Sequence, residues 1–181
     1  MRTRLAVLVL ILCGTSYAQE NQNADRDLDV YVQFSGVNID NLTATGGPNT
    51  SLAKGFDLGS VWYPVRNIGL VGDFGYHHVS DSSSEFSVTT IMGGPRYWSG
   101  ERYRLSCYGQ FLLGSARLSH KGSFNAGTHW EGTSALGGGI EVRVTDRIVL
   151  RPIELDLMLV GLGNNAVGSG RIATGVVYRL R

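Results

Sequence analysis

In eight successive stretches after residue 26, apolar and polar side chains alternate with a period of two, whereas a helical period is hard to find. Such alternation places one face of a strand in an apolar medium and the other in a polar one. In Asp27–Ser35, Leu28, Val30, Val32 and Phe34 share a face opposite Asp29, Tyr31 and Gln33. In Lys54–Tyr63, Phe56, Leu58 and Trp62 oppose Asp57 and Gly59, and in Ile68–Val79, Ile68, Leu70, Phe74 and Tyr76 oppose Asp73 and His77. The stretch Glu85–Tyr97 sets Ile91, Pro95 and Tyr97 against Arg96; Phe86 and Val88 fall out of phase, and a bulge near Thr89-Thr90 is expected to restore it. Arg102–Leu118 sets Tyr103, Leu105, Cys107, Phe111 and Leu113 against Arg104, Ser106, Tyr108 and Gln110. Thr128–Val144 sets Leu136, Ile140, Val142 and Val144 against Glu141 and Arg143. In Arg147–Leu159 the phase slips at Pro152, which has no N–H for a ladder, so a second bulge is expected there. Ile148 and Leu150 oppose Arg151 before it; Ile153, Leu155, Leu157 and Leu159 oppose Glu154 and Asp156 after it. Arg171–Leu180 closes the series, with Ile172, Val176, Tyr178 and Leu180 against Arg171 and Arg179.

Two kinds of connection join these stretches. Tight turns are expected at Pro64–Asn67, Trp98–Glu101 and Thr145-Asp146; longer polar or Gly-rich segments cover Gly36–Ala53, Ser80–Ser84, Ser119–Gly127 and Val160–Gly170. Short and long connections alternating along a chain are the mark of an up-and-down meander whose two ends differ. The expected fold is therefore all-β: an eight-stranded antiparallel up-and-down barrel.

Which face of the wall points inward decides what solvent the barrel occupies. A soluble barrel is apolar inside, and a transmembrane barrel inverts this. Two features favour inversion. The polar faces carry both signs of charge in mid-strand: Asp29, Asp57, Asp73, Glu131, Glu141, Glu154 and Asp156 against Arg96, Arg104, Arg143, Arg151, Arg171 and Arg179. Lys occurs only at Lys54 and Lys121. A crowded lumen favours Arg, whose planar fork binds several carboxylates at once. The aromatic residues of the apolar face also collect near strand ends. Trp62, Tyr97, Tyr103 and Tyr178 lie beside the tight turns, and Phe34, Phe56, Tyr76 and Trp130 towards the loops. Two such rings suit the two interfaces of a bilayer. Eight strands leave an interior that side chains just fill, so the expected lumen is a locked ionic network rather than a pore for ions or sugars.

Residues 1–18 read as a secretory signal peptide. Arg2 and Arg4 precede the apolar run Leu5–Leu12, which is too short to span a bilayer, and Ser16-Tyr17-Ala18 offers a cleavage site after Ala18. Leu12 stands where lipoprotein processing before Cys13 would want a small residue. The barrel domain is then expected over residues 19–181, with Cys107 its sole thiol and no disulfide framework. A net charge of +1 supplies no electrostatic footprint for nucleic acid. Charged residues make up only 17% of the chain against about 25% in ordinary soluble domains, while 43% is hydrophobic, too much for disorder.

The chain resembles the bacterial outer-membrane β-barrel domain family, the small OmpA- or OmpX-like eight-stranded barrels. The resemblance rests on the signal peptide and on the hairpins GFDLGSVWYPVRNIGLVGDFGYHH, GGPRYWSGERYRLSCYGQFLLG and GGGIEVRVTDRIVLRPIELDLML, with the closing TGVVYRL. It implies a place in the outer membrane of a Gram-negative cell envelope, contact with outer-membrane lipid, and insertion by the assembly machinery that reads the last strand. In that family the last strand usually ends in an aromatic residue; Tyr178 and Leu180 fit the pattern and Arg181 departs from it. The expected role is non-enzymatic: surface loops, Gly36–Ala53 the longest, presented for structural, adhesive or envelope-maintenance purposes to a partner the sequence does not name.

No catalytic, cofactor-binding or metal-binding residue is assigned. The nearest approach to catalysis is His77-His78-Val79-Ser80, where His78 and Ser80 share a face and Glu85 could approach across the connection. The alternative this supports is a lipid-facing hydrolase resembling the lipid A deacylases; a soluble periplasmic ligand-binding barrel is the other. Gly161-Leu162-Gly163-Asn164-Asn165-Ala166 matches a dinucleotide pattern without the βαβ unit that would give it meaning. His77, His120 and His129 are too scattered for a zinc site. Gly137-Gly138-Gly139 is expected to bend the wall or clear space for Tyr108 and Arg151. Asn41-Leu42-Thr43 and Asn49-Thr50-Ser51 fit the glycosylation triplet, which a bacterial source makes irrelevant.

Overall fold

A computed structural model describes residues 27–38, 52–81, 84–122, 127–162 and 165–180. The period-two stretches become eight strands: β1 (Leu28–Asn38), β2 (Leu52–Val65), β3 (Ile68–Asp81), β4 (Ser84–Arg102), β5 (Leu105–Gly122), β6 (Gly127–Arg143), β7 (Ile148–Leu162) and β8 (Asn165–Leu180). Each pairs antiparallel with its neighbours in the chain, and β1 pairs with β8 from Leu28↔Leu180 to Val37↔Arg171, which closes the barrel. Closure satisfies the backbone of every strand and leaves no sheet edge, the condition for a β-structure to stand in hydrocarbon.

The wall is inside out. Leu155, Leu157, Val32, Leu58, Leu136 and Ile172 stand exposed on the exterior, whereas Asp57, Asp73, Glu141, Glu154, Asp156, Arg96, Arg151, Arg171 and Arg179 are buried. All eight aromatics expected at the two rims face outward, Phe34 at 76% exposure and Trp130 at 56% among them.

The structure differs from sequence expectation in the connections and in one strand. The strands are longer than alternation suggested. β3 and β4 run to Asp81 and from Ser84, so most of the expected loop Ser80–Ser84 is ladder, and β5–β6 and β7–β8 behave likewise. The expected turn at Trp98–Glu101 is instead a register shift within the hairpin, with Gly100 at φ +83° and the Cys107 N–H donating to Ser99 Oγ at 3.0 Å. The turn itself is Tyr103-Arg104, both at positive φ (52° and 69°), so Arg104 is exposed at the rim rather than inside. Arg143 also stands at the rim, its Nε 2.6 Å from Glu101 Oε1.

No bulge forms near Thr89-Thr90; the β3–β4 register runs unbroken from Ile68↔Tyr97 to Asp81↔Ser84. Val88 points inward with Thr90 and Met92 because this part of the lumen is itself apolar. The bulge expected at Pro152 is present, as a register shift between Arg151 and Glu154 against β8. It lets Arg151 and Glu154, three residues apart, both face the interior.

Candidate functional site

The lumen is the chemically dense part of the molecule. Strand parity delivers its contents, and Arg171 on β8 is the hub. Its Nη1 lies 3.1 Å from Asp73 Oδ1 and 3.4 Å from Asp57 Oδ1; its Nε donates to Asp156 Oδ2 at 2.9 Å, and its Nη2 lies 3.3 Å from Glu154 Oε1. Arg151 bridges Glu141 and Glu154, each at 3.0 Å. Arg96 donates through Nε and Nη2 to Gln110 Oε1, and Gln110 in turn donates to Glu154 Oε1 (3.1 Å) and Asp156 Oδ1 (3.2 Å). The Tyr31 hydroxyl donates to Asp73 at 2.6 Å and that of Tyr108 to Glu154. Both rings also carry cations on their faces: Arg96 and Arg151 lie 4.2 and 4.6 Å from the Tyr108 centroid, and 5.5 and 4.7 Å from that of Tyr31.

Glycine makes room for these side chains. Tyr31 pairs with Gly59 and Tyr108 with Gly139 across the ladder. A Cβ at Gly59 would stand 2.3 Å from the Tyr31 hydroxyl, and one at Gly139 2.7 Å from that of Tyr108. Of the run Gly137-Gly138-Gly139, it is Gly139 that clears space for the Tyr108 ring, while Gly137 leaves room for Asp156.

Buried apolar side chains flank the network at both ends, with Asp29 and Arg179 among them on the turn side. Towards the turns, Val61, Tyr63, Val71, Trp98, Val149 and Val177 point inward and are buried; towards the loops, Val37, Ala53, Val88, Leu118 and Val160 do the same. This arrangement holds the charged side chains of the network in place. Its chemical capacity is to lock a wall, with Arg151 and Arg171 each committed to neighbouring carboxylates.

The catalytic candidates of the sequence fall on the paired strands β3 and β4. His78 faces outward and is exposed, while Ser80 and Glu85 are Cα partners on β3 and β4 whose side chains lie outside the described residues. His77 points inward, its Nε2 2.7 Å from Ser35 Oγ and 3.7 Å from Asp57 Oδ1. Sequence reasoning passed over Ser35, although its parity with Gln33 and Tyr31 placed it inside. Both contacts fall on one ring nitrogen, whereas a Ser–His–acid relay needs the acid on the other, and all three groups are buried away from any substrate. Among the described residues, no group of three or more His, Cys, Asp or Glu is placed to hold a metal ion. The expected signal peptide, the residues of the expected loop from 39 to 51 and Gly163-Asn164 lie outside the described residues, as do the side chains of His120 and His129.

No protein-family model matches the chain, and no curated protein matches it in sequence. Solved structures do. Neisserial surface protein A aligns with a TM-score of 0.64 at 16% identity, covering 84% of this chain and 96% of that one. The chain has the fold of the small outer-membrane barrels. The N-terminal β-barrel domain of Pseudomonas aeruginosa OprF matches with a TM-score of 0.60 at 15% identity over 86% of this chain and all of that domain. Ail, the attachment invasion locus protein of Yersinia pestis, matches with 0.56 at 18% identity over 84% and 96%. Strand number and closure are shared with this fold, and the apolar exterior meets the demand that an outer-membrane barrel places on its wall.

Proposed function

We propose that this protein is a non-enzymatic outer-membrane barrel. Residues 1–18 serve as its export signal and residues 19–181 as a rigid anchor that holds loops at the cell surface for a structural, adhesive or envelope-maintenance role. One observation carries the reading: Arg171, wholly inside the barrel, engages four carboxylates, from Asp57, Asp73, Glu154 and Asp156. A lumen spent on such contacts is scaffolding, and the variable part of such a scaffold is its loops. The name of Ail speaks of attachment and invasion, which is consistent with loops as the working surface. Insertion falls to the assembly machinery acting on β8, whose outward residues Ile172, Val176, Tyr178 and Leu180 continue the apolar face to its end.

The test has two stages. A membrane barrel stays with the outer-membrane fraction through carbonate extraction and runs differently on gels with and without boiling; extraction into the soluble fraction would defeat the reading. In the intact barrel, removal of residues 39–51 is expected to abolish surface attachment or envelope resistance with gel behaviour unchanged. Ser80→Ala is expected to leave lipid A unaltered by mass spectrometry, and a change there would reinstate hydrolysis.

A further inference from the structure

The exterior is not apolar throughout. Cross-strand register defines a continuous outward row of Phe34, Phe56, Tyr76, Thr89, Arg117 and Trp130 across β1 to β6. One step nearer the loops, Lys54 and His78 are Cα partners, both exposed, directly above Phe56 and Tyr76, whose ring centroids are 6.1 Å apart. Arg117 is exposed beside Trp130. Among the described residues, no ion pair engages Lys54, His78 or Arg117.

Depth decides what these groups meet. Lys54 stands eleven residues above Val65 and Arg117 twelve above Leu105. Strands that rise about 3.4 Å per residue and tilt about 45° carry them roughly 26 and 29 Å above the turn end. The lipid-facing apolar band of such barrels is about 25 Å tall. The cations therefore emerge at the headgroup level of the leaflet on the loop side, next to the aromatic side chains that mark the interface. An unpaired guanidinium at that depth would be costly in hydrocarbon and is stabilised by an anionic headgroup within reach.

We propose that Lys54 and Arg117, with His78 beside Lys54, form a docking band for the phosphates of a phosphorylated glycolipid of the outer leaflet, lipid A in its bis-phosphorylated form. The proposal rests on the outer-membrane reading, since orientation puts the loop end in that leaflet. A flat phosphate-bearing headgroup fits a row of spaced cations on a smooth wall, and Arg117 offers the paired donors that phosphate takes.

The experiment uses the full barrel, folded in detergent and exposed to defined lipids, with retained lipid read by native mass spectrometry. Wild type is expected to retain bis-phosphorylated lipid A about tenfold more than its dephosphorylated form, and the K54Q/R117Q double variant to lose that preference with its gel mobility unchanged. Equal retention by the double variant overturns the proposal. Equal retention of dephosphorylated lipid A, or of phosphatidylglycerol, overturns the phosphate or the glycolipid assignment respectively. Saturating inorganic phosphate is expected to displace little lipid, and full displacement would reduce the band to a site for free anion. A barrel absent from the membrane fraction would instead defeat the outer-membrane reading beneath it.

Discussion

At the scale of single residues, burial turns each lumenal charge into a dependency. Arg171 and Arg151 are fully enclosed, and together they contact five carboxylates. Taking away one partner of a buried pair leaves the other charge uncompensated, typically at about 3–5 kcal/mol. Arg171→Leu is thus expected to destabilise the barrel by about that much, read as a lower urea midpoint for unfolding in lipid vesicles. An unchanged midpoint would show that the hub contributes nothing. Gly59 makes a steric demand. A Cβ there would meet the Tyr31 ring and also the Gly72 carbonyl at 2.5 Å, and backbone cannot step aside as a side-chain tip can. Gly59→Ala is expected to cost about 1–3 kcal/mol in the same assay.

At the scale of strands and turns, the two faces of one strand obey different solvents. On β7, Leu157 is 71% exposed while its neighbours Asp156 and Met158 are buried. Leu157→Arg is expected to cost about 2–4 kcal/mol for folding into a bilayer, because the new charge faces lipid. A soluble barrel would accept the same change at its surface with almost no effect, so the measurement separates the two architectures. The hairpin β4–β5 carries a different strain: its two-residue turn places Tyr103 and Arg104 in a left-handed conformation suited to Asn-Gly. The Y103N/R104G variant is expected to gain about 1–2 kcal/mol, checked as a rise in the unfolding midpoint. Alternation found these strands because parity survives without tertiary information. It mislaid the turn, because no Gly or Asn stands at 103 or 104 and Gly100 lies close by at the bulge.

At the scale of the whole molecule, a lumen filled by side chains predicts electrical silence. Planar bilayers containing the folded protein are expected to show no stable conductance steps, since the ionic network lies between buried apolar side chains, with Trp98 at one end and Leu118 at the other. Regular steps would mean that the network opens. Amino-acid order by itself determined the number of strands, the pairing of neighbours and the slip at Pro152, because these depend on a local period and on a missing N–H. It also marked Arg151, Glu154, Asp156 and Arg171 as one face. Which carboxylate each arginine reaches was beyond it, since Asp73 and Arg171 stand 98 positions apart and meet only when β1 closes on β8. The same holds for the inward turn of Phe86 and Val88: an apolar side chain in a polar phase is a defect on a lone strand, and becomes part of a plug once seven other strands surround it.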